Sequence, residues 1–238
     1  MEIETKLHKL GLEGQTTKIG RYTNLNERIN EINFSSRDTL VVVGDDLQLS
    51  EVINLIGNKR AKPTIGYIPI NEETNLTKNL GLPSGENSVM ILANRRIENL
   101  DMGTCNQKYF LESVNLHNSK ISVKINNKFT VTIPDEIDEI IISNLKVTHL
   151  KNNLSSVNPH DGLLEVFFLK RKKNLFNNEF TKIHSAFKAN RLSIKSLREE
   201  FEADLDHVTK IKTPLEVGVL KGGIKMIVGK QRLISEFN

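Results

Sequence analysis

The apolar positions of the first ninety residues alternate between the helical period and the strand period. Helical spacing occurs over residues 3–10, where Gly11 acts as a stop signal. It returns over residues 25–32, where Asn24 and Glu27 are placed as a capping box. Continuous apolar runs between the helices are typical of strands buried in a parallel sheet. In order, the further predicted elements are a strand over 15–19, a strand over 40–43, a helix over 47–56, a strand over 63–70 and a helix over 76–80.

The pattern of apolar and polar residues changes from about residue 90. Short runs rich in Val, Ile and Phe follow one another, separated by polar turns such as Asn126-Asn127, and this pattern predicts an antiparallel sheet or sandwich. A helix is predicted to interrupt the strands over 175–190. The predicted strand-like runs lie at 89–93, 109–116, 121–125, 128–133, 139–145, 163–169, 191–197 and 215–220.

These patterns predict two domains. Residues 1–92 would form an α/β domain with a mainly parallel sheet, because helices and strands alternate there with short links. Residues 93–238 would form a β-sandwich-type domain, whose last strands are candidates for packing back on the first domain.

Composition narrows the class of protein only moderately. The chain has 238 residues, 38% of them apolar, and a formal net charge of +4, which permits an acidic partner such as a nucleotide or an anionic membrane face. Cys105 is the single cysteine, so an internal disulfide is excluded. No apolar run approaches about 18 residues, so a cytoplasmic protein without a membrane span is expected.

The turn Gly44-Asp45-Asp46 joins a predicted strand directly to a predicted helix. A helix start offers unpaired N–H groups and the positive end of the helix dipole to phosphate oxygens, and a neighbouring Asp can hold Mg²⁺. The same residues also fit a plain turn in which Asp caps the helix.

Five segments, in order along the chain, resemble the diacylglycerol kinase, sphingosine kinase and bacterial lipid kinase family. "VVVGDDLQLSEVINLI" resembles that family's "VVGGDGTLNEVVNGL", and "IGYIPINEETNLTKNLGLP" is similar to its "LGIIPLGTGNDFARALGIP". Further matches are Asp101 and Gly103 in "LDMGTCNQKYF", Asp161 in "HDGLLEV", and "ADLD" in the place of a C-terminal "DGE" triplet.

The resemblance implies a parallel-sheet nucleotide-binding domain followed by a β-sandwich domain, with ATP and Mg²⁺ in the cleft between them. It implies phosphoryl transfer to a lipid hydroxyl, for which Asp204 would be the catalytic base. Asp46, Asp161 and Asp206 would be the metal ligands. The implied nucleotide-binding residues are Gly44, Asp45, Asp46, Gln48, Glu51, Asn71, Thr74 and Asn75.

The chain departs from the family at the residues that would contact phosphate. Asp45, Leu47 and Gln48 replace two glycines and a threonine, residues 71–75 replace "GTGND", and Leu205 replaces the glycine of "DGE". A side chain where the backbone must approach phosphate closely blocks that approach. The family's usual first strand also has no counterpart before the first predicted helix.

Three functions therefore stay open. The protein is an active lipid kinase, a catalytically eroded member that only binds a nucleotide or a lipid, or, as a more distant reading, a small-molecule kinase similar to NAD kinases. The basic run 170–173 (KRKK) is either a contact for an anionic membrane surface or a solvated loop. A homo-oligomer is compatible with the sequence, and no nucleic-acid partner is expected.

Overall fold

The computed structural model describes residues 2–20, 23–117, 120–150, 157–173 and 179–234, and it divides into two compact units. The first unit contains the chain up to Leu100 together with the segment that begins at Gly223, and the second unit runs from Asp101 to Gly222. The two boundaries fall within strands.

The first unit contains a small parallel sheet flanked by helices. Strand β1 pairs in parallel with β2 from Thr39↔Thr64 to Gly44↔Pro69, and Met226 near the end of β14 pairs in parallel with Ile65 on the other side of β2. Its elements are α1 (Glu2–Lys9), α2 (Leu25–Glu31), β1 (Thr39–Gly44), α3 (Asp46–Gly57), β2 (Thr64–Pro69), α4 (Asn75–Leu80), α5 (Asn87–Asn94), the start of β3 (Ile97–Cys105) and the end of β14 (Leu215–Ile227).

Most predicted elements of the first unit are confirmed, and two are wrong. Residues 15–19 form no strand; the nearby pairing is an isolated bridge between Gly20 and Thr23. The apolar run 89–93 belongs to helix α5, in which Val89 and Leu92 are buried and Met90 is exposed. That three-residue spacing of buried positions is helical, and a short unbroken apolar run conceals it.

The second unit is a sandwich of two antiparallel sheets. One sheet has the order β10-β9-β8-β5-β12-β13, and the other contains β14, β11, β6 and β7 side by side, with β3 paired to β14 and to β4. The remaining elements are β4 (Lys108–Phe110), β5 (Ser113–Leu116), β6 (Ile121–Ile125), β7 (Phe129–Thr132), β8 (Glu139–Ser143), β9 (Leu164–Lys173), β10 (Glu179–Ala189), β11 (Arg191–Ser196), β12 (Glu202–Leu205) and β13 (Thr209–Lys212).

A shared hydrophobic core joins the two sheets of this sandwich. Val114 and Val166 of one sheet belong to the same buried cluster as Val123 and Leu192 of the other. Cys105 lies in that cluster, and burial raises the pKa of its thiol to about 12, so it behaves as a small apolar core residue.

The helix predicted over 175–190 is wrong for the residues that the structure describes. Strand β10 occupies Glu179–Ala189 and pairs with β9 along its whole length, while residues 175–178 of the predicted helix lie outside the described residues. Strands β12 and β13 form a hairpin that the sequence patterns did not predict.

Candidate functional site

The turn between β1 and α3 is closed by its own side chains. Asp45 caps α3: its Oδ1 accepts the N–H of Gln48 at 3.0 Å, and Gln48 Oε1 accepts the N–H of Asp45 at 2.7 Å. This reciprocal capping box satisfies two of the main-chain donors at the point where a phosphate would be bound. The prediction that an Asp caps this helix is confirmed, whereas phosphate binding at the turn stays a prediction.

Gly44 lies directly against the Gln48 side chain in this turn. A Cβ on Gly44 would come within 2.8 Å of Gln48 Oε1, so the glycine accommodates the Gln48 side chain here. Apolar side chains border the same turn and are unusually exposed: Val43 by 48%, Leu47 by 38% and Ile70 by 55%.

Asp46 is held by a buried tyrosine. The hydroxyl of Tyr67, which is 1% exposed, donates to Asp46 Oδ1 at 2.9 Å. Burial and the neighbouring Asp46 carboxylate raise the pKa of Tyr67 above its ordinary value, so the hydroxyl keeps its proton and remains a donor. The sequence interpretation missed Tyr67, although a tyrosine in a buried strand requires a partner for its hydroxyl.

The second predicted phosphate loop, residues 71–75, is also closed. Thr74 and Thr77 form a capping box at the start of α4, with N–H to Oγ1 distances of 2.8 and 3.2 Å. Asn71 is exposed, and Glu73 forms an exposed ion pair with Lys78 at 3.3 Å. Asn75 is the first residue of α4, and Glu51 is an exposed residue of α3.

Asp204, the predicted catalytic base, lies on β12 in the second unit. Its carboxylate forms an ion pair with Lys210 on the adjacent strand, and its Oδ2 lies 3.6 Å from His117 Nε2. The other ring nitrogen of His117, Nδ1, lies 3.7 Å from Glu139. Lys210 and His117 are neighbours that the sequence interpretation did not identify.

Asp206, a predicted metal ligand, forms part of the turn between β12 and β13. It has a left-handed backbone (φ 51°), as does His207 (φ 58°), which is the geometry of a tight hairpin turn. Its carboxylate accepts three main-chain N–H groups, those of residues 111, 112 and 113, at 2.7–3.0 Å. This carboxylate therefore joins the hairpin to β5.

Asp161, the third predicted metal ligand, belongs to a small charged cluster. Its Oδ2 lies 2.8 Å from Lys188 Nζ, and the same ammonium group lies 3.0 Å from Glu165 Oε1. Glu165 is only 2% exposed, and burial raises the pKa of its carboxyl to about 7 despite Lys188. Glu165 could have been noticed as the one charged residue in the apolar run of β9.

Asp101, which matches the family's "IDLG" motif, is fully buried and holds main-chain groups together. Its carboxylate accepts the N–H of Gly162 at 2.6 Å and of Gly222 at 2.7 Å, while its carbonyl accepts the side-chain amide of Asn144. In the same motif, a Cβ on Gly103 would collide with the ring of Phe110. The motif residues of the second unit thus have structural roles that do not require a ligand.

The residues present do not fit Mg²⁺ and ATP phosphates in their current arrangement. Asp46, Asp161 and Asp206 each have a hydroxyl, ammonium or main-chain partner on the carboxylate. Across the described ranges, no group of three or more His, Cys, Asp or Glu residues is arranged to hold a metal ion. In each of the two turns, the capping box occupies two of the main-chain N–H groups that could otherwise contact an anion.

The basic run 170–173 lies at the end of β9. Lys170 pairs with Glu136 at 2.6 Å, and the N–H of Arg171 donates to Asp138 at 2.7 Å. None of the described helices is long and apolar enough to cross a bilayer.

The fold, a parallel-sheet unit followed by a β-sandwich unit, is also found in solved structures of kinases. Three crystal structures of diacylglycerol kinases or putative diacylglycerol kinases from Bacillus anthracis str. Sterne are similar to it. One of them covers 96% of this chain and 90% of its own chain, with a TM-score of 0.74 and 18% identity; another covers 87% and 83%, with a TM-score of 0.67 and 18% identity.

Sequence comparison finds a protein family that matches the amino-terminal part of the chain. Residues 1–105 match the family described as "Diacylglycerol kinase catalytic domain". Diacylglycerol kinases of Staphylococcus saprophyticus and Staphylococcus epidermidis are 32% and 33% identical over 114 and 110 residues. Those matches cover 46% and 44% of this chain, and only 36% and 34% of the length of the two relatives. The amino-terminal part of the chain is therefore similar to the diacylglycerol kinase family, and the chain spans about a third of the length of these two relatives.

Proposed function

We propose that this protein is a non-catalytic member of the diacylglycerol kinase family that binds lipid without phosphorylating it. The observation that carries the proposal is the state of the turn at Gly44. Asp45 and Gln48 occupy each other's main-chain N–H groups there, and the turn carries two carboxylates, Asp45 and Asp46, where a triphosphate would add further negative charge.

The loop at 71–75 supports the same conclusion. The N–H of Thr74 is used by the Thr77 hydroxyl and the N–H of Thr77 by the Thr74 hydroxyl, and Glu72 and Glu73 add two more carboxylates. Lipid is the ligand class that remains, because the named relatives are kinases of diacylglycerol. The exposed apolar residues Val43, Leu47 and Ile70 beside the first turn are compatible with an apolar ligand rather than a polyphosphate.

The direct test is incubation of the purified protein with labelled ATP, Mg²⁺ and diacylglycerol, sphingosine or prenol acceptors. We expect no labelled lipid, and no rise in the melting temperature with Mg²⁺-ATP, because a ligand that binds the folded state must stabilise it by mass action. Diacylglycerol in neutral micelles is expected to raise the melting temperature. Failure of the lipid to stabilise the protein would refute the binding part of the proposal.

A variant that restores the family residues tests the physical reason. Asp45→Gly combined with Leu47→Gly and Gln48→Thr removes the capping box and one carboxylate from the first turn. Mg²⁺-ATP should stabilise this variant and not the wild type. If it stabilises neither, the side chains of this turn are not what excludes the nucleotide.

The second candidate function is ATP-dependent phosphorylation of a lipid hydroxyl. The match of residues 1–105 to the catalytic domain and the retained Gly44 and Asp46 favour it. In that case Asp204 would accept the proton of the lipid hydroxyl, after its carboxylate is released from Lys210. Labelled lipid formed by the wild type, and lost in Asp204→Asn, would establish this function and overturn the first.

A further inference from the structure

Strand β1 is the last strand of its sheet and has a neighbour on one side only. β2 pairs with one edge of β1, and among the described residues no strand pairs with the other edge. The carbonyls of Asp38 and Gly44 accept N–H groups at the start of β2 and just beyond its end, so the even-numbered residues of β1 face β2. Because main-chain groups alternate in direction along a strand, those of Thr39, Val41 and Val43 face the open edge. No hydrogen bond reaches these main-chain groups from any residue that the structure describes.

The sequence of β1 gives this open edge none of the usual protection against pairing. Edge strands normally carry a lysine, a proline or a bulge that prevents another strand from adding to them. β1 reads Thr-Leu-Val-Val-Val-Gly, and its register with β2 is regular from end to end. Its unbroken apolar run is typical of a strand inside a parallel sheet, and Val43 is nevertheless 48% exposed. The strand therefore has the composition of an inner strand and the position of an edge strand.

The open edge is complementary to a second copy of itself. Two copies of β1 that run antiparallel about a two-fold axis at Val41 place Thr39 of each copy opposite Val43 of the other. Each opposed pair of residues then exchanges two main-chain hydrogen bonds, so every free group of the edge has a partner. If the register were shifted by two residues, one of these residues would be left without a partner in each copy.

The charges that flank β1 fit the same arrangement. Arg37 lies four positions before Val41 and Asp45 lies four positions after it, so the two-fold axis brings Arg37 of one copy to Asp45 of the other. Arg37 is exposed, and its guanidinium has no ion-pair partner in the part of the chain that the structure describes. A parallel pair would instead place like charges together at both ends, which is unfavourable. The charges therefore favour an antiparallel second copy as the occupant of the edge.

We propose that two copies of this protein pair through β1 and form one continuous sheet across a two-fold axis. The contact uses main-chain groups of the strand and requires no lipid. It therefore goes beyond the lipid binding proposed above, and the two proposals can fail separately.

The first experiment is sedimentation velocity of the full chain over a range of protein concentrations. We expect a concentration-dependent species of twice the chain mass of 27.0 kDa. Val43→Pro removes an N–H group that faces the open edge, so a single copy loses no hydrogen bond of its own sheet while the pair loses one at each end. The dissociation constant should rise by about tenfold. Val43→Ala keeps the N–H group and is the matched control, with an expected rise of about threefold or less.

A second pair of variants tests the charges. Arg37→Glu sets like charges against each other at both ends of the paired strands, because Asp45 of the other copy lies there. The dissociation constant should rise by about fivefold, and less at high salt. Lys128→Glu makes the same change of charge at an exposed position of the second unit and should stay within about twofold of wild type.

Thiol cross-linking tests the register. Thr39→Cys combined with Val43→Cys places a thiol of one copy opposite a thiol of the other, with about 5 Å between the Cβ atoms. Within one copy, and between equal positions of the two copies, the thiols are about 13 Å apart along the strand. A reagent that spans less than about 8 Å should join the double variant into a dimer that survives denaturation, and should join neither single variant. Cys105 is buried and does not compete for the reagent.

Three outcomes would overturn the proposal. A wild type that is monomeric at every concentration would leave the edge to a strand of a different protein. A dimer that Val43→Pro and Arg37→Glu leave unchanged would use another surface, and single cysteine variants that cross-link as well as the double variant would exclude the register. Circular dichroism melting of every variant separates lost association from lost folding. If Val43→Pro does not fold, Val43→Lys replaces it, because a charge on an edge strand opposes pairing.

Discussion

Glu165 is a buried carboxylate whose ionisation is unfavourable in the folded protein. The free energy lost by removing its charge from water exceeds the stabilisation that its neighbours give to that charge. Removal from water is the largest influence on it, and Lys188 at 3.0 Å lowers the pKa by less than burial raises it. Asp161, which shares the same ammonium group, adds a further repulsion. The folded protein therefore holds a proton on Glu165 more tightly than the unfolded chain does.

The sign of the pH dependence follows from this shift. Because the pKa of Glu165 is about 7 when folded and 4.5 in its ordinary state, its contribution to stability is fully present below about pH 4.5 and is lost as the pH rises towards about 7. Glu165→Gln cannot ionise. Urea unfolding from about pH 5 to about pH 8 should show the wild type losing stability relative to this variant by on the order of 2 kcal/mol. A difference that is constant with pH would contradict the assignment.

The contacts of individual side chains were the part of the candidate site that the sequence predicted least well. The sequence identifies Asp101, Asp161, Asp204 and Asp206 as carboxylates in family motifs, but not what their oxygens contact. Asp206 accepts three N–H groups from residues 111–113, more than ninety positions earlier, and no spacing rule reports such a contact. Whether any of these residues also serves a ligand stays a prediction.

At the scale of elements, the strength of a local pattern decided which predictions succeeded. The helix over 47–56 and the strand over 63–70 have strong periods and clear stops, and they correspond to α3 and β2. Strand β10 has a bulge between Ile183 and Ser185, so Ile183 packs on one hydrophobic cluster and Phe187 on another. The bulge breaks the two-residue period, and the pairing with β9 then overrides local preference.

The hairpin of β12 and β13 yields a prediction about the Asp206 turn. Asp206→Asn keeps a residue that tolerates the left-handed backbone but offers one acceptor oxygen in place of two, so main-chain donors among residues 111–113 lose a partner. We expect a loss of about 2 kcal/mol in the free energy of unfolding, measured by urea titration. His207→Asn, at the other left-handed position, should cost less than about 1 kcal/mol.

The same pair of variants examines the metal prediction for Asp206. If Mg²⁺ raises the melting temperature of the wild type and of His207→Asn but not of Asp206→Asn, the carboxylate binds metal as well as the main chain. Equal stability of the two variants would show that the three N–H contacts contribute little.

At the scale of the whole molecule, the first unit is completed by the end of the described chain. After Met226 pairs beside β2, the N–H of Gly229 donates to the carbonyl of Leu80 at 2.8 Å. The backbones of Gly229 and Gly81 are so close that a Cβ on Gly229 would overlap the Gly81 carbonyl. This return of the last strand was proposed from the sequence only as a candidate, because nothing local marks a long-range parallel pair.

Gly229→Ala tests this closure. The added methyl group must push apart two main-chain segments, so we expect a loss of at least about 3 kcal/mol in stability or a failure to fold. Gly14→Ala is the matched control, because a Cβ there meets no atom within 4 Å. Both variants are compared with the wild type by thermal unfolding. A lowered melting temperature for Gly229→Ala, together with a melting temperature close to wild type for Gly14→Ala, would support the contact. Similar melting temperatures for the two variants would contradict it.

The division of the chain between the units has a consequence for synthesis on the ribosome. Residues 101–222 are contiguous, so the second unit can fold as soon as Gly222 has left the exit tunnel. The first unit begins to emerge earlier, yet β2 has only β1 beside it until Met226 arrives. The part of the protein that is translated first is therefore the part that finishes folding last, and its incomplete sheet stays exposed to chaperones for most of the time that translation takes.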